Sequence, residues 1–206
     1  MDRIKTGTTT VGIVTKDAIV LAADKRATAG GMIADKNITK VIPINERMIL
    51  TIAGVVSDAQ LLVKYIKAEI KIKDLKTGIP TSVKAAANLL ASFNYSGLRS
   101  QGSIAQFLFA GTDSDGPQLY QVTFDGAVMK VDDFEVTGSG TPFALAVTES
   151  EWKPNMTTEQ GVALIKKAIT ASMERDTASG NGFDIFVIDK TGVNHRETVR
   201  LKSVPQ

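Results

Sequence analysis

Near its N-terminus the chain reads Gly7-Thr8-Thr9-Thr10-Val11-Gly12-Ile13. Consecutive threonines suit an edge strand, and strand propensity alone would account for them. They also suit chemistry. A threonine released behind a cleavable glycine carries a nucleophilic Oγ and a free α-amine on one residue. Such an amine titrates near about 7.7–8.0, so much of it is available as a base at neutral pH. Gly7 would leave its carbonyl open to attack by Thr8 Oγ, so the chain could cut itself. No histidine is required, and the chain has one, His195. A Ser-His-Asp triad would have to use that residue, and a multi-histidine metal site is excluded. The absence of cysteine excludes disulfides, thiolate metal sites and cysteine nucleophiles.

Further pieces follow along the chain. Ala22-Ala23-Asp24-Lys25-Arg26 closes an apolar run, and Lys40 follows. Ile52-Ala53-Gly54 precedes Ser57-Asp58-Ala59-Gln60. Gly138-Ser139-Gly140 lies past the middle, and Arg175-Asp176-Thr177-Ala178-Ser179-Gly180 ends a long helical pattern. Each piece is weak alone. Jointly, in this order, they resemble the β subunits of archaeal-type proteasomes, a family of N-terminal-nucleophile threonine peptidases. The similarity runs from Thr6 to at least Gly180.

The resemblance implies roles. Thr8 is the nucleophile once residues 1–7 leave as a propeptide cut between Gly7 and Thr8, with 8–206 as the catalytic domain. Lys40 lies on the third strand beside Thr8 Oγ and lowers its proton affinity. Asp24 pairs with Lys40, and Arg26 braces the same network. The Gly54 N–H forms the oxyanion hole. Ser139, Asp176 and Ser179 converge on the Thr8 amine. Taken singly, these are a surface lysine, a turn carboxylate, a loop arginine, a turn glycine and loop or helix-end residues. Asp176 at a helix C-terminus is mildly unfavourable there, which points towards function. Family positions for the specificity wall fall on Ala27, Ile38, Ile52 and Val56, all apolar, so cleavage after large apolar residues is expected.

The expected partners are other β subunits in heptameric rings, flanking α subunits, a regulatory ATPase acting indirectly and unfolded polypeptide. No cofactor or metal is expected. No G-x-x-x-x-G-K-[ST] phosphate loop is present, so the chain should not use ATP itself. Rival readings are the bacterial proteasome-related peptidase with its own ATPase ring, and an inactive structural β-type subunit. His195 matches no motif and reads as structural or exposed. Trp152 reads as a packing or subunit-contact residue. Lys64, Lys67, Lys71, Lys73 and Lys76 read as a solvated helix face.

Composition sets the frame that must hold these residues. The 206 residues are 43% hydrophobic and 22% charged, enough for a substantial core in one domain. A formal net charge of +2 without a basic–aromatic pattern makes no case for nucleic acid. No apolar run approaches the roughly 20 residues that span a bilayer. Met1 to Gly7 lacks the apolar stretch of a secretory signal, which favours the cytoplasm.

Thr9–Thr15 and Ala18–Ala23, joined by Lys16-Asp17, predict a hairpin. Arg26–Gly31 reads as a loop, and strands are expected at Met32–Ala34, Lys40–Ile44 and Arg47–Val55. A helix should start at Ser57, with Gln60 as capping-box partner, and stop at Gly78-Ile79-Pro80. A second covers Ser82–Asn94. Strands return at Ile104–Ala110, Gln118–Phe124 and Ala127–Val131, the last two joined by Asp125-Gly126. Helices follow at Phe143–Glu149 and from Thr157, capped with Gln160, to Arg175. The last strands are Phe183–Ile188 and His195–Leu201. Paired helices between blocks of strands predict an α+β fold, a four-layer α-β-β-α sandwich of two mainly antiparallel sheets. The resemblance implies the same architecture, the N-terminal-nucleophile hydrolase fold.

Overall fold

The computed structural model describes residues 7–101 and 105–201, without the side chains of 56–58, 100 and 101. Two five-stranded antiparallel sheets form the centre. The first contains β1 (Thr9–Val14), β2 (Ile19–Asp24), β10 (Phe134–Gly138), β11 (Gly182–Asp189) and β12 (Gly192–Arg200), ordered β10-β1-β2-β11-β12. The second runs β5 (Val41–Pro43), β6 (Met48–Gly54), β7 (Ala105–Asp113), β8 (Gly116–Val122) and β9 (Val128–Val131). A separate hairpin pairs β3 (Ala27–Ala29) with β4 (Met32–Asp35).

Three buried clusters define the layers. Ile19, Leu21 and Ala23 of β2 meet Ile49, Leu108 and Leu119 between the sheets. Val20 and Ala22, alternating with them, face Val162, Ile165 and Ile169 of α4 (Thr158–Arg175), beside which α3 (Thr141–Glu151) packs. On the other outer side, Leu50, Phe107 and Phe109 meet Ile66 of α1 (Val56–Thr77) and Leu90 of α2 (Val83–Gln101). A strand covered on both faces reads as an unbroken apolar run, as Ala18–Ala23 does. The four-layer α-β-β-α sandwich is as expected. None of the helices in the described residues is long and apolar enough to cross a membrane.

Four local expectations are corrected. The segment from Arg26 is not all loop, because Ala27–Ala29 pairs with Met32–Asp35 around Gly30-Gly31. Helix α1 starts one residue before Ser57, with Val55 at its cap and no side-chain cap bond; the Ser57 side chain lies outside the described residues. Helix α2 continues past Asn94 to Gln101, since Asn94 is buried and bonds to the Ala105 and Thr123 carbonyls from within the helix. Strand β10 was not expected; its Phe134-Glu135-Val136 alternation is short, and pairing with β1 supplies the rest.

Helix α4 behaves as the sequence indicates. Thr157 Oγ1 accepts from Gln160 N at 3.3 Å while Gln160 Oε1 accepts from Thr157 N at 2.8 Å, a closed capping box. This cap starts the helix whose other end presents Asp176. Thr157→Ala should cost about 1 kcal/mol of stability, read as a lower midpoint in urea unfolding.

Candidate active site

Strand β1 is flanked by β2 and β10, with Thr10 opposite Ala23 and Thr9 opposite Gly138. The register brings Asp24, at the end of β2, and Gly138-Ser139-Gly140, after β10, to the two sides of Thr8. Gly138 adopts φ 100°, and a side chain there would run into the Thr8 carbonyl. The Gly140 N–H donates to that carbonyl oxygen at 3.3 Å.

Asp24 anchors one side. Its Oδ1 accepts from Lys40 Nζ at 2.7 Å and from Thr9 N at 3.0 Å. Its Oδ2 accepts from Arg26 N and Gly180 N, both at 3.0 Å. Four donors meet its acceptor sites, as a buried carboxylate requires. Lys40 is 2% exposed and Asp24 1%. Burial pushes the Lys40 ammonium below the usual lysine range, while the Asp24 charge and hydrogen bond oppose that shift. Lys40 also reaches the Gly7 carbonyl oxygen at 3.4 Å, and Thr8 Oγ1 donates to the same oxygen at 2.7 Å.

Asp176 anchors the other side. It is the C-cap residue of α4, just beyond the helix rather than in its last turn. Its Oδ2 accepts from Ser139 Oγ and from Ser179 Oγ, each at 2.6 Å. Ser139 Oγ in turn accepts from Thr8 N at 3.1 Å. Thr8, Asp24, Lys40, Ser139, Asp176 and Ser179 therefore lie in one hydrogen-bonded cluster around the Gly7–Thr8 bond. Thr8 itself is 3% exposed in this form.

The remaining expected residues sit as follows. Lys40 lies immediately before β5 rather than on it, and its carbonyl accepts from Ile52 N at 2.9 Å. Arg26 gives its backbone N–H to Asp24, but its guanidinium holds Asn181 Oδ1 and Thr177 O, both at 2.8 Å, so it braces the 177–181 loop rather than the carboxylate. Gly54 ends β6 with φ 133° and is half-buried. Ala27 and Ile38 are half-buried, whereas Ile52 is 3% exposed within the α1–α2 core; the Val56 side chain lies outside the described residues. A cavity of about 360 Å³ does border Ser139 and Asp176, but its other wall is the β3–β4 hairpin from Thr28 to Ile33. It does not include Ala27, Ile38 or Ile52.

The family model described as proteasome subunit matches residues 4–188. The chain belongs to the proteasome subunit family. It is 45% identical over 190 residues to proteasome subunit beta 2 of Ignicoccus hospitalis, covering 92% of this chain and 88% of that one. It is 42% identical to a proteasome subunit beta of Methanocaldococcus vulcanius, covering 94% and 86%, and 40% identical to one of Haloferax volcanii, covering 92% and 76%. It is accordingly a β subunit of the proteasome core, a protease by family and a component that assembles with other proteasome subunits.

In this β subunit several residues in and around the cluster have contacts that the sequence did not assign to them. Thr9 stands inside the Gly7–Gly12 motif, which gives it no role of its own. Ser172, on the buried face of α4, donates to Gly140 O at 2.9 Å and so ties the Ser139 loop to the helix. Lys25 pairs with Asp184 at 2.6 Å, both buried, beside Asp24. These roles arise from packing between distant segments, which no local pattern encodes. Trp152 packs on Phe134 at 5.9 Å between ring centroids and donates to Val14 O at 3.2 Å, a structural role, and His195 is exposed.

The lowered Lys40 pKa has a testable sign. Between that value and about 10.4, the reference for lysine, the unfolded chain binds more protons than the folded one. Stability contributed at Lys40 therefore rises with pH across that window. Lys40→Met lacks this term. Urea unfolding at stepped alkaline pH should show the wild type gaining on Lys40→Met as pH rises.

Proposed function

We propose that this β subunit is a threonine-type endopeptidase whose nucleophile and base are both on Thr8, freed by autocatalytic loss of residues 1–7. The observation that carries the reading is the cluster around the Gly7–Thr8 bond. The Gly7 carbonyl oxygen lies against Lys40 Nζ and Thr8 Oγ1, and the Thr8 nitrogen bonds to Ser139. Gly7 is tightly seated, since a side chain there would strike Ala178 and come within 2.6 Å of Ser139 Oγ.

In self-cleavage, Thr8 Oγ adds to the Gly7 carbonyl carbon and the C–N bond breaks. The acyl group moves to Oγ as an ester, and the nitrogen leaves as the Thr8 amine. Water then hydrolyses the ester, leaving a Gly7 carboxylate and a free N-terminal threonine. Residues 1–6 lie outside the described residues, but Gly7 and the 3% exposure of Thr8 fit a site closed by its own chain.

In the mature enzyme, Thr8 Oγ attacks the scissile carbonyl while the Thr8 amine accepts its proton, directly or through water. The Lys40 ammonium, held by Asp24, lowers the proton affinity of hydroxyl and amine. The Gly54 N–H receives the oxyanion. The amine protonates the leaving nitrogen, and water, activated by the same amine, opens the ester. Ser139, Asp176 and Ser179 orient the amine, and Arg26 steadies the loop that carries Ser179.

Ala27, Ile38, Ile52 and Val56 form the wall that selects large apolar residues before the cut. The chain works in the cytoplasm, in heptameric β rings flanked by α subunits, on unfolded polypeptide that a regulatory ATPase delivers.

In assembled particles, Thr8→Ala should retain Met1–Gly7 by intact mass and hydrolyse no fluorogenic peptide. Turnover by that variant would overturn the nucleophile assignment. Lys40→Ala should lose at least about 10²-fold in kcat, as expected for a group that manages the proton of the attacking hydroxyl. For specificity, peptides should rank with large apolar residues first; a preference for acidic or basic residues would reject the proposed wall.

A further inference from the structure

Thr9 is fully buried, and both its N–H and its hydroxyl are committed. Its N–H donates to Asp24 Oδ1 at 3.0 Å, the oxygen that also receives Lys40. Its Oγ1 lies 2.8 Å from Ser179 Oγ. The direction of that second bond follows from proton counting. Ser179 has one hydroxyl proton and gives it to Asp176 Oδ2 at 2.6 Å. Ser179 must therefore accept from Thr9, and the order is Thr9 Oγ–H to Ser179 Oγ–H to Asp176. Ser139 arrives at the same Asp176 oxygen from the other side, carrying Thr8 N.

The space for this hydroxyl is built in. A Cβ on Gly140 would overlap Thr9 Oγ1 and sit 3.0 Å from Ser172 Cβ. The absence of a side chain at Gly140 is what lets the Thr9 hydroxyl reach Ser179. An ordinary strand threonine needs neither feature.

We propose that Thr9 is a positioning residue that ties the Asp24–Lys40 pair to the Ser139–Asp176–Ser179 relay, so that both sides of Thr8 are held as one unit. The inference rests on the threonine-peptidase reading above. Thr9 touches no reacting atom. Its amide fixes where Asp24 meets Lys40, and its hydroxyl fixes Ser179 and, through it, the carboxylate that holds Ser139 against the Thr8 nitrogen.

Two substitutions separate this role from plain strand packing. Thr9→Val keeps the β-branched shape and strand propensity but removes the hydroxyl. Thr9→Ser keeps the hydroxyl and removes the methyl. In assembled, matured particles, Thr9→Val should lower kcat on a short fluorogenic peptide about threefold to tenfold, the scale of one lost buried hydrogen bond, with KM unchanged. Thr9→Ser should stay within about twofold of wild type in kcat while unfolding at a lower midpoint, because a buried methyl is lost. Ser179→Ala combined with Thr9→Val should cost little more than Ser179→Ala alone, because Thr9 acts on Asp176 through Ser179.

Wild-type kcat in Thr9→Val, or equal damage in Thr9→Ser, would overturn the proposal. If Thr9→Val does not assemble, Thr9→Ala is set against Thr9→Ser, since both lack the methyl and only the serine keeps the hydroxyl. A kcat about threefold to tenfold lower in Thr9→Ala supports the role, and equal kcat in the two removes it. Thr8→Ala prepared alongside separates the two readings. An active Thr8→Ala overturns the peptidase assignment, whereas an inactive Thr8→Ala beside an unaffected Thr9→Val overturns only the role of Thr9.

Discussion

Burying the Lys40 ammonium and the Asp24 carboxylate together sets conditions that much of this fold meets. Two ions taken out of water cost several kcal/mol each unless their remaining hydrogen-bonding capacity is met. The pair itself, at 2.7 Å, satisfies one acceptor site of Asp24. The others are met by backbone N–H groups from Thr9, Arg26 and Gly180. Those residues come from β1, from the exit of β2 and from the turn before β11. Antiparallel pairing of these three strands brings them together, so the first sheet is the carboxylate's solvation shell as well as the scaffold.

The second carboxylate is met differently. Asp176 sits where α4 ends, and its donors are mostly hydroxyls from loops, Ser139 and Ser179, with the Ala178 N–H on the remaining oxygen. Position therefore depends on how α4 lies on the first sheet. The apolar face of α4, seated on Val11, Ile13, Val20 and Ala22, sets that placement. Ser172, one turn before Asp176, pins the Gly140 carbonyl at the same helix end. Packing energy on one face of a helix is thus converted into the placement of a charge at its tip.

Two kinds of charge handling follow. Lys40 is held by an ion pair against a strong desolvation pull that lowers its pKa. In the proposed mechanism a charged but reluctant ammonium is useful, because it stabilises developing alkoxide without a deep hold on its own proton. In the same proposal Gly54 acts from the second sheet, where the Ile52 N–H of β6 donates to the Lys40 carbonyl. The site thus spans the seam between the two sheets.

Much of this was legible in one dimension. The apolar run of β2, the capping box of Thr157, the alternation of strand blocks with helix pairs and the single histidine are local or compositional properties. They indicated the layer architecture; a threonine hydroxyl and amine as the reactive groups is what the family resemblance implied and what is proposed above. The positions of Thr8, Asp24, Lys40, Ser139, Asp176 and Ser179 were readable as an ordered set of motifs. What tertiary structure alone decided was how they are held. Strand β10 is too short to declare itself and exists by pairing with β1. Arg26 turns its guanidinium to the 177–181 loop because Asn181 and Thr177 lie within reach there. The dual role of Thr9 depends on a donor direction set by a serine 170 residues away and on a gap left by Gly140. Sequence carries the identity and order of such groups, but hydrogen-bond direction and available volume depend on which surfaces meet in the fold.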